Sequence, residues 1–243
     1  MTQITQAFIF AAGRGERMRP LTDSIPKPLV KINGKAIIDY TIEKLDQISS
    51  IKKIIINGFH LADQVEDHIK KLRNPKIIFS REEEKIETGG ALVYAADKID
   101  LNKPLLTING DILWLDDSKA LSDIEFLMQH WNGREADILL GLKQVDDYFG
   151  YEGNIHGGGD FNLIGDQLVR FPDAPMTHVY VGMQIINPKI LASAPGKCFS
   201  MSHYYKSAVA EGGYVHRIRG IELRGKYFHI GNMAAISATE NQL

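Results

Sequence analysis

The chain is predicted to fold as an α/β protein, with a mostly parallel sheet flanked by helices and a small β-rich lobe in its second half. Two observations carry that expectation. Short apolar runs alternate with segments of helical periodicity through the first 140 residues, as a succession of βαβ units requires. After residue 141 the pattern turns to glycines, turn residues and short β-like runs, which suit hairpins better than crossover helices.

The elements follow in order. "AFIFAA" (7–12) reads as a buried first strand. "AIIDYTIEKLDQI" (36–48) places Ile37, Ile38, Tyr40, Thr41, Ile42 and Leu45 on one stripe at helical spacing. "KKIIING" (52–58) is a second strand and "LADQVEDHIKKL" (61–72) the helix after it. "KIIFS" (76–80) is a third strand, and "TGGALVYAADKI" (88–99) a helix with Thr88 as its cap. "PLLTINGD" (104–111) is a fourth strand ending in Asn-Gly-Asp, followed by a helix over 122–132 and a strand over 136–145. In the second half, "NLIGDQLVRF" (162–171) reads as a hairpin and "HVYVGMQIINPKIL" (178–191) as a strand leading to a turn. A helix over 201–213, β-like sequence over 214–231 and a terminal helix over 232–243 complete the chain. The whole predicts a Rossmann-like sheet, with a cleft at the carboxyl ends of its parallel strands.

Composition narrows the function. The 243 residues are 44% hydrophobic and 24% charged, with a net charge of −2. That balance offers no general attraction to nucleic acid or to an anionic membrane, so anion binding must come from local geometry. The single cysteine, Cys198, excludes an internal disulfide or a cysteine-clustered zinc site. No stretch approaches the roughly 20 apolar residues of a membrane span, and the N-terminus does not read as a secretory signal. The expected location is the cytoplasm. The sequence carries no signal of oligomeric state.

The segment "GRGERM" (13–18) follows the first strand. It lacks the Gly-Lys-Ser/Thr ending of a P-loop. It also fails the dinucleotide fingerprint, because Met18 stands where the third glycine belongs. What remains is Gly13 and Gly15 surrounded by Arg14, Arg17, Arg19 and Lys27, the last flanked by Pro26 and Pro28. Glycines let backbone N–H groups approach phosphate, and arginine and lysine supply countercharge. Taken alone, the loop suits either a solvated turn or a phosphate cradle.

The longer run "AAGRGERMRPLTDSIPKPLVKINGKAIIDY" resembles the opening of the sugar-1-phosphate nucleotidyltransferases, which make nucleotide-sugars from an NTP and a sugar 1-phosphate. "ETGGAL" (87–92), "INGD" (108–111) and "YVGMQIINP" (180–188) resemble later segments of that family in the same order. The resemblance implies one domain over 1–243, with a nucleotide-binding part (1–140) and a sugar-binding lobe with a closing segment (141–243). It implies nucleotide binding by Ala12, Gly13, Gly15, Glu16, Arg17, Lys27, Thr88 and Gly89, and sugar binding by Asn109, Asp160 and Gly182. Arg17, Lys27 and Asp111 become the catalytic residues, with Asp111 as ligand to Mg²⁺, or possible Mn²⁺ in its place.

One departure stands out. The family's aromatic-x-Asp-x-Gly segment corresponds to "KYFHIGNM", which puts His229 at a second metal-ligand position. Three readings stay open: His229 meets metal or phosphate, it stands aside, or catalysis is lost. "NIHGGGDFNLIGDQLV" (154–169) resembles the hairpin of the N-acetylmuramate 1-phosphate uridylyltransferases of cell-wall (peptidoglycan) recycling. The implied reaction is attack of a sugar 1-phosphate oxygen on the α-phosphate of UTP. Its nucleophile is already anionic, so no general base is required. The alternatives are a mannose-1-phosphate guanylyltransferase and a catalytically silent nucleotide-sugar-binding regulator.

Overall fold

Residues 3–118, 120–150, 158–169, 175–209 and 217–243 are described by the computed structural model. Residues 154–157 of the glycine-rich stretch, 170–171 of the expected hairpin, 210–213 of the expected late helix and 214–216 of the β-like run lie outside the described residues.

Strand β1 (Gln6–Phe10) lies inside the sheet because it is apolar on both faces, with Ala7, Phe8 and Ile9 fully buried. A short hairpin, β2 (Lys31–Ile32) with β3 (Lys35–Ala36), leads into α1 (Ile37–Gln47). Four of the six stripe residues, Ile37, Ile38, Thr41 and Leu45, are essentially inaccessible, Ile42 is buried as well, and Tyr40 is half-buried. Then follow β4 (Lys53–Gly58), α2 (Ala62–Leu72), β5 (Ile77–Arg81), α3 (Glu87–Tyr94), β6 (Leu105–Asn109) and β7 (Ile112–Leu115). Next come α4 (Asp123–His130), β8 (Ile138–Gln144), β9 (Tyr148–Phe149) and the hairpin β10 (Asn162–Ile164) and β11 (Gln167–Val169). The chain finishes with β12 (His178–Ile186), α5 (Ser202–Val209), β13 (Ile218–Glu222), β14 (Lys226–His229) and α6 (Met233–Glu240).

The main sheet has the order β10-β11-β13-β8-β12-β6-β1-β4-β5. Its pairings orient β5, β4, β1, β6, β8, β13 and β10 one way, with β12 and β11 against them. The sheet is thus mostly parallel, as expected. Helices cover both faces. Ile38, Ile42 and Leu45 of α1, Val65 and Ile69 of α2, and Ile124 and Leu127 of α4 pack on one face. Ala91 and Leu92 of α3 and Tyr204 and Tyr205 of α5 pack on the other. Each large apolar side chain buried this way contributes about 1.5–3 kcal/mol before conformational entropy is charged against it. Among the described residues no helix is long and apolar enough to cross a membrane.

A second, three-stranded sheet has the order β7-β14-β9. It pairs His229 with Ile112, and the Ile230 N–H donates to the Asp111 carbonyl at 2.9 Å. That pairing carries a residue from near the chain's end to the tip of β6.

One helix departs from the sequence reading. Helix α3 spans Glu87–Tyr94, not 88–99, and Ile86, not Thr88, occupies its cap position. Thr88 lies in the first turn, where its hydroxyl accepts the Met201 N–H at 2.9 Å. Beyond Tyr94 the chain is held by Gln6, whose amide donates to the carbonyls of Asp100 and Lys103. Between Tyr94 and that anchor the chain runs in turns.

Candidate active site

The carboxyl ends of β1, β4, β5 and β6 open onto a cleft, which the loop after β1 overhangs. Gly15 has φ 65°, a conformation in which a side chain is strained, and an added Cβ would lie 2.8 Å from the Thr22 methyl. Its carbonyl accepts the Met18 N–H at 2.8 Å and the Thr22 hydroxyl at 2.7 Å, closing the loop on itself. Gly13 is open, with nothing within 4 Å of an added Cβ, and it lines the cleft with Ala12. Glu16 is exposed.

The loop's arginines do not converge as the sequence suggested. Arg14 stacks over the Phe59 ring at 5.5 Å, and Arg19 pairs with Asp23 at 3.1 Å on the surface. Local partners four residues away or on the next loop hold both cations. Arg17 turns the other way. A Cβ added to Gly231 would lie 3.2 Å from the Arg17 guanidinium and 3.0 Å from the His229 ring. Arg17 and His229 therefore flank Gly231.

Lys27 is 7% exposed, and its ammonium donates to Asp111 Oδ2 at 2.7 Å. His229 Nε2 lies 3.5 Å from the same oxygen. Burial would push the Asp111 carboxyl up. The charge of Lys27 and the hydrogen bond from His229 outweigh it and hold the group well below the usual carboxylate range. Asp111 is therefore an anion at neutral pH, at the turn between β6 and β7.

A cavity extends from this pair beneath the loop. On its wall the Ala11 N–H donates to Asn57 Oδ1 at 2.6 Å, and Asn57 Nδ2 donates to Glu82 Oε1 at 2.6 Å. Glu82 is buried, and desolvation raises its pKa despite the bond from Asn57. A second cavity meets the first at Phe10, Thr88 and Asn109. There Asp160 Oδ2 accepts the Tyr180 N–H at 3.0 Å, and the Tyr205 hydroxyl donates to Gln184 at 2.8 Å. Burial pushes both phenols up, so each stays neutral.

Of the residues singled out from the sequence, Ala12, Gly13, Lys27, Thr88, Asn109, Asp111 and Asp160 line the two cavities. Gly182 acts through Asn109: at φ 85°, in the register shift of β12, its added Cβ would lie 2.8 Å from the Asn109 amide nitrogen. Gly89 is packed against Phe199. Its N–H donates to the Phe199 carbonyl at 2.8 Å, and a Cβ there would lie 2.3 Å from the Phe199 ring. Sequence reasoning missed Asn57, Glu82, Tyr180, Gln184 and Tyr205. The signal for the first two was positional: each closes or follows a parallel strand at its carboxyl end. The aromatic pair carried none.

The family profile described as "Nucleotidyl transferase" matches residues 6–162. The N-acetylmuramate alpha-1-phosphate uridylyltransferase of Caulobacter vibrioides is 34% identical over 246 residues, covering 98% of this chain and 96% of its own. A putative mannose-1-phosphate guanyltransferase of Sulfolobus acidocaldarius is 28% identical, covering 86% of this chain and 55% of its own. Among solved structures, a UDP-glucose pyrophosphorylase complexed with UDP-glucose has the same fold, with a TM-score of 0.77, 19% identity and 98% of each chain covered.

Proposed function

This chain belongs to the nucleotidyl transferase family and is a sugar-1-phosphate nucleotidyltransferase; from that premise we propose that it joins UTP to N-acetylmuramate 1-phosphate in the cytoplasm. The observation that carries the reading is the Lys27–Asp111 pair at 2.7 Å, in a cleft that continues into a second cavity. Two polyanions meet at such a point only if their charge is neutralised and their geometry fixed.

A sugar 1-phosphate oxygen attacks the α-phosphorus of UTP, the new P–O bond forms, and the α–β bridging bond breaks to release pyrophosphate. The nucleophile is an anion already, which agrees with a site where the ammonium of Lys27 stands beside the Asp111 carboxylate. The open backbone at Ala12 and Gly13, with the closed turn at Gly15, receives the triphosphate. Arg17 offers a planar donor fork to the departing pyrophosphate. Lys27 offsets charge where the two phosphates approach. Glu16 stands at the outer edge of the triphosphate. Asn109, seated by Gly182, and Asp160 bind sugar polar groups, and Thr88 sits between base and sugar.

A divalent metal fits this donor set. Asp111 offers a carboxylate oxygen and His229 a ring nitrogen, and among the described residues no group of three or more metal-ligating side chains exists. The metal would therefore be held jointly with nucleotide phosphate oxygens, as Mg²⁺ commonly is; a ligating His229 nitrogen would suit Mn²⁺ better. When bound, it supplies charge neutralisation between the reacting phosphates.

A second reading, GTP with mannose 1-phosphate, is favoured by the similarity to mannose-1-phosphate guanylyltransferases such as the Sulfolobus relative. The test is pyrophosphate release for each NTP with a panel of sugar 1-phosphates. Turnover with UTP and N-acetylmuramate 1-phosphate is expected; preference for GTP with mannose 1-phosphate would replace the substrate reading.

A further inference from the structure

We infer that Lys206, on the rim of the second cavity, is the counter-ion for a carboxylate substituent of the sugar 1-phosphate and sets a preference for acidic over neutral sugars. The inference rests on the substrate reading above and adds the residue that enforces it. The second cavity is lined by apolar, hydroxyl and amide groups, and among its described lining residues Lys206 is the one cation and Asp160 the one carboxylate. Asp160 is engaged by the Tyr180 N–H, and its charge faces the strand side of the cavity. Lys206 comes from α5 and is exposed, with no ion pair among the described residues.

This arrangement gives the cavity a direction. The phosphate of the sugar is drawn toward Lys27 in the first cavity, across the junction at Phe10, Thr88 and Asn109. A carboxylate elsewhere on the sugar avoids Asp160 and turns toward α5, where an unpaired ammonium is waiting. The ring's hydroxyl and amide groups are left to Asp160, Asn109, Gln184 and the serines Ser200 and Ser202. A neutral sugar uses those same partners but leaves Lys206 idle. A charge-assisted hydrogen bond at a half-open rim is worth about a tenfold preference, the lower end of the range for bonds to charged groups. N-Acetylmuramate differs from N-acetylglucosamine by a lactyl ether that ends in a carboxylate, so this pair of sugars isolates the interaction.

The experiment measures kcat/KM with UTP for the 1-phosphates of both sugars, in the wild type, Lys206→Met and Lys206→Arg. The wild type is expected to prefer the acid. Lys206→Met should reduce the acid-to-neutral ratio about tenfold, mainly through KM for the acid, with the guanidinium of Lys206→Arg restoring most of it. A wild type that prefers the acid, with a ratio unchanged in Lys206→Met, removes Lys206 from recognition and leaves the substrate reading standing. A wild type that turns over only neutral sugars overturns the substrate reading and this inference with it.

Discussion

Lys27 is kept at the cleft by the chain on both sides of it: Pro26 and Pro28 restrict the backbone, and the side chain ends on Asp111 at 2.7 Å. Removing either charge should cost the reaction ~10²–10³ in kcat, the range for loss of one preorganised charge contact. Lys27→Met and Asp111→Asn are the variants to assay, and turnover within a few-fold of wild type in either would remove that residue from the chemistry. Glu82 gives a prediction of opposite electrostatic character. Burial makes its carboxyl hold a proton more tightly in the folded protein than in the unfolded chain. Above the ordinary value of 4.5, the native state therefore binds more protons, and stability contributed by this group falls as pH rises through that window. Glu82→Gln has no such dependence. Its melting temperature relative to wild type should climb as pH is raised above 4.5, and a flat difference would contradict the shift. Charged residues of this kind were only partly legible. Lys27 and Asp111 sit in recognisable segments, whereas Glu82 sits in "REEE", where only its place directly after a strand end sets it apart from its neighbours.

Helix α3 shows what an element owes to its surroundings. Its first turn is stitched to the segment before α5 by the N–H groups of Gly89 and Gly90, both donating to the Phe199 carbonyl. That close approach requires glycine, so Gly89→Ala should destabilise the protein by about 1–3 kcal/mol, the usual cost of overpacking. Urea unfolding of the variant checks this; an unchanged midpoint would mean that the Phe199 ring moves aside freely. The sequence marked the start of the helix to within a residue but not its end or its cap, and it carried no sign that Gly89 packs on a ring. Helix α1 was legible almost residue by residue, since its stripe packs directly on the sheet. The end of α3 was not: the chain turns after Tyr94 and is then held at Asp100 by Gln6, 94 residues away in sequence.

At the scale of the whole molecule, the parallel half was readable from alternation alone, and the insertion of β12 between β6 and β8 was not. Strand order is decided by pairing over long sequence distances, and a nine-residue apolar strand carries no mark of its neighbours. Ligand linkage offers a global test. With no protein-only metal cage among the described residues, a chelator should leave the melting temperature of the free protein unchanged. UTP with Mg²⁺ at a hundredfold Kd should add about 2.7 kcal/mol, or roughly 5–10 °C, for a chain of this size. Chelation should abolish that gain, and a gain that survives it would argue against joint holding of the metal. The two cavities also divide the chain unequally. The first draws its walls from residues 10–111, while all but three lining residues of the second fall between 160 and 206. Inheritance can therefore rewrite one wall and spare the other: substitutions gathered in a single late window diversify what is accepted there, while the first half of the gene keeps its chemistry intact.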